Sequence, residues 1–449
     1  MDKNKLGSMP INKLVLEMSI PIMISMLIQA LYNLVDSLFI AHMATNSEAA
    51  ITALSLAFPM QSMIIAVTVG TGIGLNAVLS RTFGEKRYDR MNLVAGNGIF
   101  LGLVTGLVFF IAGLTVVRPY FEMQTSNQLV VEMGIEYMTI VVCFGVAKVF
   151  QIFLERILQA TGRPKLSMIS QASAALLNCI LDPLFIFGLD MGIRGAAIAT
   201  ILAQVIGAII CLILNIRKNE EITFKFEYIK PVSGIIKEIY KIGIPAILIQ
   251  AIQSVTVFFI NGMLYTISET CVTAYGLYFK LNGMIYMPIF GINNGIISII
   301  GYNYGANKPE RIKHTMIYAL KFSCIILGIG MLIFNIIPDK VAMMFKPSDE
   351  LLGILISCLR ISSLAYLFFA VNVIIQSGLQ AVGEGMTSLV LTILRTVIIV
   401  LPAVYLLARL PNAENLVWIA IPASEAITAV VSVLMFKKIY NNKIVKSKI

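Results

Sequence analysis

The feature that most limits what this chain can fold into is a series of twelve apolar segments, separated in nearly every case by short polar breaks. About 20 apolar residues in a helix span the roughly 30 Å hydrocarbon core of a bilayer. The segments lie near 14–41, 50–80, 91–117, 128–159, 166–187, 193–216, 238–265, 270–303, 314–337, 351–381, 386–408 and 415–436. Of the 449 residues 58% are hydrophobic and 13% charged, where a soluble domain carries about 25% charged residues. The expected fold class is therefore an all-α polytopic membrane protein with twelve transmembrane helices. Its length is spent on helices, leaving no room for a soluble catalytic domain, so no enzyme is expected. The amino-terminal MDKNKLGSMPINK has no signal-peptide cleavage pattern after a short apolar core, and the first apolar segment is read as a retained helix.

A net charge of +10 raises the question of nucleic acid, but the basic residues alternate with the sides of the expected helices. With the amino terminus in the cytoplasm, 23 of the 34 Lys and Arg fall on the inner side, from Lys3, Lys5 and Lys13 to Lys437, Lys438, Lys443, Lys446 and Lys448. The outer side holds Arg118, Arg194, Lys340, Lys346 and Arg409. The positive-inside rule then places a multi-pass chain in the cell membrane with both termini cytoplasmic. Its partner is the lipid bilayer and not nucleic acid. The six cysteines, 143, 179, 211, 271, 324 and 358, form no CxxC and fall in or at the ends of helices, where they read as packing residues and not as zinc ligands or disulfides.

The chain repeats itself. LQATG at 158–162 returns as LQAVG at 379–383, and Gly84 and Arg90 of FGEKRYDR return as Gly305 and Arg311 of YGANKPER, both at an offset of 221. IPIMISMLIQ at 20–29 resembles IPAILIQAIQ at 244–253, offset 224. Three landmarks in one order mark a duplication. The expected organisation is an amino-terminal six-helix lobe at 1–216, a cytoplasmic linker at 217–237 and a carboxyl-terminal six-helix lobe at 238–449. Six is even, so the lobes are parallel repeats related by a pseudo-twofold axis along the membrane normal. Such repeats hold substrate near the midplane and rock against one another in alternating access.

Charged groups inside a bilayer cost about 2.5–3.5 kcal/mol even on permissive scales, and those present are functional candidates. Asp36 is the one acid between Glu17 and Glu48, with Tyr32 one turn earlier on its face. Asn178 and Asp182 share a face in NCILDPLF, and Pro183 frees the carbonyl of Cys179 because it brings no N–H. Counted from the helix starts at about 1.5 Å per residue, Asp36, Asp182 and Thr200 fall at one level in the outer half of the membrane. Two carboxylates in a low dielectric cannot both stay ionised cheaply, so one of them is suited to carry a proton; the same oxygens with Asn178 and Thr200 suit Na+. Glu155, near the cytoplasmic end of its helix beside Arg156, can reach water or pair with Arg163. Gln253, Lys280 and Asn282, with Gln250, Asn293 and Asn294, line the second lobe's cavity or serve as polar packing. Glu425 reads as an isolated acid. Pro21 marks a bend in the first helix. VGTGIG at 69–74 lies within an apolar helix, where its glycines read as close-packing residues, and no Walker motif points to ATP.

These residues together resemble the MATE (multidrug and toxic compound extrusion) family over essentially the whole chain. The resemblance is carried by IP at 20–21, YNLVDSLFIA at 32–41, GEKRYDR at 84–90, LQATGRPK at 158–165, NCILDPLFIFGLDMGIRGAAIAT at 178–200, and LQAVG. It is identified with the DinF/MepA-like prokaryotic branch, whose first lobe carries the coupling acids. The resemblance implies coupling positions at Asp36, Asn178, Asp182 and Thr200 with Tyr32 adjacent, and a helix bend at Pro21. The NorM-type branch carries acids in helices 7 and 10, where this chain has Gln253 and Asn372. The function implied is multidrug efflux, a monomer exporting organic cation drugs or dyes in antiport with H+ more than Na+ and using no cofactor. The alternative within the superfamily is a flippase for lipid-linked oligosaccharide or peptidoglycan precursors, which would want a strongly cationic cavity. A catalytic dyad of Asp36 and Asp182 would require a water-fed scissile bond that duplicated architecture does not suggest.

Overall fold

The computed structural model describes residues 4–43 and 47–445; Lys3, Lys446 and Lys448, counted above on the inner side, lie outside them. The helices that matter here are α1 (Ile11–Ala41), α2 (Ser47–Gly84), α3 (Tyr88–Thr115), α4 (Gln128–Cys143), α5 (Val146–Ala160), α6 (Pro164–Gly188) and α7 (Gly192–Lys218). The repeat continues with α8 (Ser233–Tyr265), α9 (Glu269–Gly305), α10 (Pro309–Ile336), α11 (Asp349–Ser363), α12 (Tyr366–Ala381), α13 (Gly385–Leu407) and α14 (Ala413–Val445). No strand occurs among the described residues. Helices are the form these sequences take because lipid offers no partner to a backbone N–H or C=O, and a helix satisfies its own.

Among the described residues ten of these helices are each long and apolar enough to span a bilayer, and counting each of the bent pairs α4/α5 and α11/α12 as one span gives twelve. The expected segments 128–159 and 351–381 are therefore not continuous. They bend by 42° between Cys143 and Val146 and by 48° between Ser363 and Tyr366. At both breaks the turn tightens to bonds spanning three residues, Gly145 N–H to the Val142 carbonyl and Ala365 N–H to that of Ser362, a pattern that ends one helix axis and starts another. Leu103, Leu107, Phe110 and Leu114 form an exposed stripe along α3, spaced three and four residues apart as a lipid-facing ridge requires.

Two compact units are present. One comprises Ile24–Gly243; the other comprises Ile244 onward together with the chain up to Met23. The chain thus crosses between them within α1 and within α8, two residues after Pro21 and one residue before Pro245. Each unit holds its crossing segment through glycines. In the first, a Cβ on Gly74 of α2 would stand 2.2 Å from the Ile239 carbonyl oxygen of α8. In the second, a Cβ on Gly291 of α9 would stand 2.5 Å from the Met23 side chain, and one on Gly295 would stand 2.8 Å from Ser19 Oγ. The glycines of 69–74 are packing residues.

The repeated motifs repeat in three dimensions. Gly162 and Gly383 take φ of 82° and 87°, and Lys86 and Asn307 take 57° and 53°. Gln159 donates to Ser167 and Gln380 to Ser388, each at 3.4 Å. The segment between α7 and α8 packs on the first unit, where Asn92 accepts from Thr223 N–H and Asn97 from Val232 N–H, each at 2.9 Å.

Candidate cation-coupling site

The first unit gathers polar side chains from six helices. α6 brings Asn178 and Asp182 onto one face, where Asn178 Nδ2 donates to Asp182 Oδ1 at 2.9 Å and reaches Thr200 Oγ1 of α7 at 3.5 Å. Pro183 follows, and beyond it α6 continues as a π turn, Leu184–Gly188, closed by Leu189 N–H on the Leu184 carbonyl. Asp36 and Tyr32 of α1 complete the cluster. The charge of Asp36 acts on Asp182, and Tyr32 lies in the field of both carboxylates. Asp182 is fully buried and Asp36 is 8% exposed.

Three acceptor oxygens of this cluster are left over. Among the described residues, Asp36 Oδ1, Asp182 Oδ2 and Asn178 Oδ1 are buried with no hydrogen-bond partner. Buried polar atoms are costly when unpaired, and three such oxygens beside a threonine hydroxyl form a place for a proton or for an oxygen-liganded cation such as Na+.

Two further residues belong to the cluster. Tyr137 of α4 lies in the field of Asp36 and Asp182, and its hydroxyl accepts from Gln61 Nε2 of α2 at 3.4 Å. Tyr137 sits in the apolar run EYMTIVVC, and nothing local in the sequence says that it faces an acid 101 positions earlier.

A small cavity of about 20 Å³ links Asn178, Thr200 and Tyr32 with Lys148 and Gln151 of α5 and with Gln171 of α6. Lys148 and Arg156 act by charge on Glu155, which is 8% exposed. Arg156 Nη1 donates to Gln159 Oε1 at 3.0 Å. Of the two alternatives expected for Glu155, water or Arg163, the second is not met: its charged neighbours are on its own helix, and Arg163 acts on Glu221. Lys148 carried a signal in the sequence, a cation inside an apolar helix.

In the second unit Asn282 is buried, Lys280 is exposed and Gln253 half-buried. Asn293 accepts from Ser377, and Asn294 Nδ2 donates to the Phe290 carbonyl at 3.0 Å. Glu425 is not isolated: Arg395 and Asn372 both hold it. The two partners come from other helices, 30 and 53 positions away, so neither was visible beside it in the sequence. α1 runs unbroken through Pro21.

The chain is similar to proteins of known kind along nearly all its length. It is 26% identical over 406 residues to the multidrug export protein MepA of Staphylococcus haemolyticus, covering 90% of this chain and 89% of that protein. Among solved structures it superposes with a TM-score of 0.91, at 27% identity and 98% coverage of both chains, on one described as the outward-facing conformation of a multidrug resistance MATE family transporter of the MOP superfamily. A MOP superfamily transporter from Pyrococcus furiosus, whose description reads that reverse polarity of its binding pocket suggests a different function, matches with the same score, identity and coverage. The sequence itself matches the MatE family over residues 21–184 and again over 245–406, once in each copy of the repeat; the chain belongs to the MatE family.

Proposed function

We infer that this protein is a secondary active multidrug exporter of a prokaryotic cell membrane, moving organic cations outward by alternating access in antiport with H+ rather than Na+. The observation that carries the reading is the buried pair Asp36 and Asp182, each with an oxygen atom that no donor among the described residues reaches. Two carboxylates in one another's field share a proton more readily than they both stay charged. Asn178 orients Asp182 by donating to one oxygen and leaves the other for the coupling ion; Thr200 adds a hydroxyl, and Tyr32 and Tyr137 add phenols at the rim. Glu155, one turn along α5 from the cavity-lining Gln151 and in the field of Lys148, is a second station for a proton between this cluster and the inner side. A lipophilic cation and the coupling ion neutralise the same carboxylates, so arrival of one favours release of the other. A net charge crossing the membrane potential contributes about 2.3 kcal/mol per 100 mV, enough for roughly fiftyfold accumulation per net charge moved. Both termini are assigned to the cytoplasm and the monomer is taken as the working unit.

The test is uphill efflux of a fluorescent lipophilic cation from proteoliposomes under an imposed proton or Na+ gradient. Proton-driven export is expected in the wild type, with Asp36→Asn and Asp182→Asn each lowering it about tenfold or more while the protein stays folded. Export under the Na+ gradient alone would overturn the choice of ion. No export by the wild type under either gradient would overturn the exporter reading and favour a flippase for lipid-linked precursors, for which Lys148 and Arg156 are the cations of this unit that would meet a pyrophosphate.

A further inference from the structure

The second unit holds a charged cluster that the coupling cycle above does not use. Arg395 on α13 and Glu425 on α14 are 7% and 9% exposed, with Nη1 3.3 Å from Oε1. Asn372 of α12 donates its amide to Oε2 of the same carboxylate at 2.6 Å and to the Glu425 backbone carbonyl at 3.0 Å. Ser432 fixes Asn372 from behind, donating to its Oδ1 at 3.0 Å. The Arg395 guanidinium also lies over the ring of Phe369, 5.8 Å from its centroid. Phe369 is stacked on Tyr286 at 3.9 Å with the planes 6° apart, and Tyr286 meets Tyr366 edge-on at 5.5 Å.

A carboxylate and an aromatic face therefore share one occupant, and that occupant is a planar, delocalised, monovalent cation. Carboxylate and π-face are the two means by which a protein recognises an organic cation. The helix that carries Arg395 has a place where its register can change. Leu394–Val400 is a π turn, a one-residue insertion in the helical ladder that recurs at functional sites. Returning it to α-helical bonding shifts the register by one residue and turns the side chain about 100° around the axis, away from Glu425.

We propose that Arg395 is a resident stand-in for the exported cation: a planar organic cation displaces the guanidinium, stacks on Phe369 and Tyr286, and takes over Glu425. On its departure Arg395 returns, so the buried carboxylate is never left without a positive partner, a state that costs a protein dearly. The inference rests on the export reading and adds a second, substrate-facing acid to it.

The chain supplies its own reporter. Trp418 is the sole tryptophan and lies on α14 seven residues before Glu425, about 10 Å along the axis, stacked on Tyr275. Purified protein in lipid nanodiscs is titrated with ethidium while Trp418 fluorescence is followed, and the same variants are assayed for ethidium export in proteoliposomes. Glu425→Gln is expected to weaken ethidium binding about tenfold. Arg395→Met is expected to tighten it about tenfold and to slow export, because nothing is left to displace the bound cation. The double variant is expected to bind like Glu425→Gln. Arg395→Lys keeps the charge and the fold but gives up the planar stack, and a severalfold tightening is expected there as well.

Opposite signs for the acid and the base are the signature of competition. An ion pair that only ties helices together would lower the melting temperature in both variants and move affinity in one direction or not at all. That result, in a wild type that exports ethidium, overturns this inference alone. A wild type that neither binds nor exports ethidium or tetraphenylphosphonium overturns the export reading and this one with it.

Discussion

Asn178 is the residue on which the geometry of Asp182 turns, because among the described residues its amide is the side chain that donates to that carboxylate, at 2.9 Å. A hydrogen bond to a charged group contributes about 1.5–3 kcal/mol, and leaving a buried acceptor without its donor costs more than the bond itself. Asn178→Leu is therefore expected to lower gradient-driven export about tenfold or more. Thr200 sits at 3.5 Å, the outer limit of a bond, and Thr200→Val is expected to cost about two- to threefold. Both are read as initial efflux rates normalised to folded protein by size exclusion; equal losses would mean that the threonine binds the ion as directly as the amide orients the acid. The acids and the amide were legible in the sequence because a charge inside a membrane helix demands a reason and because residues four apart share a face. Tyr137 and Gln61 were not, since a tyrosine in an apolar run and a glutamine on another helix announce no common partner. Glu425 looked isolated for the same reason, its cation being on α13 and its amide on α12.

Among the elements, the glycines of α2 and α9 set how closely helices approach, and the space around each one ranks the cost of a methyl group. At Gly74 a Cβ meets a backbone oxygen at 2.2 Å; at Gly295 its nearest neighbour is a serine hydroxyl at 2.8 Å; at Gly234, in the first turn of α8, nothing lies within 4 Å. Overpacking a tight contact costs about 1–3 kcal/mol, so Gly74→Ala should lower the melting temperature of the detergent-solubilised protein by several degrees. Gly295→Ala should lower it less, and Gly234→Ala should leave it unchanged or raise it, since replacing an unstrained glycine restricts the unfolded chain. A flat series would refute helix approach as the role of these glycines. Beside Gly74, Glu238 of α8 accepts from Arg81 and Arg90 at 2.6 Å each. The carboxylate is partly exposed, and Glu238→Gln is expected to cost about 1 kcal/mol, read as a shift in the same melting curve and shrinking as salt is added. The small-residue run of α2 and the helix spans could be read from composition and spacing. The breaks after Cys143 and Ser363 could not: Leu364 and Ala365 are ordinary helix residues, and Gly145, inside an apolar run, reads equally as a packing residue.

At the scale of the whole molecule, the duplication was the most legible feature. The turns that repeat in sequence repeat in φ, and the family matches begin at 21 and 245, on the two prolines near which the chain passes from one compact unit to the other. Each proline lacks the N–H that would close a helical turn onto the residue four earlier, Glu17 in α1 and Lys241 in α8. A helix is weakest against bending where one of its bonds is missing, and these are the places where a segment held by one unit joins a segment held by the other. In the alternating access proposed above, the strain of the change falls on both crossings, not on α1 alone. Pro21→Ala and Pro245→Ala are accordingly expected to slow uphill export by similar factors, about three- to tenfold, while leaving equilibrium binding of the exported cation within about twofold. Single-turnover efflux beside Trp418 titration separates rate from affinity. A loss confined to Pro21→Ala would mean that the repeats are alike in build but unlike in motion, with the hinge in the half of the molecule that carries Asp36 and Asp182. A matching loss at Pro245 would make the crossing segments a paired hinge inherited from the duplication itself.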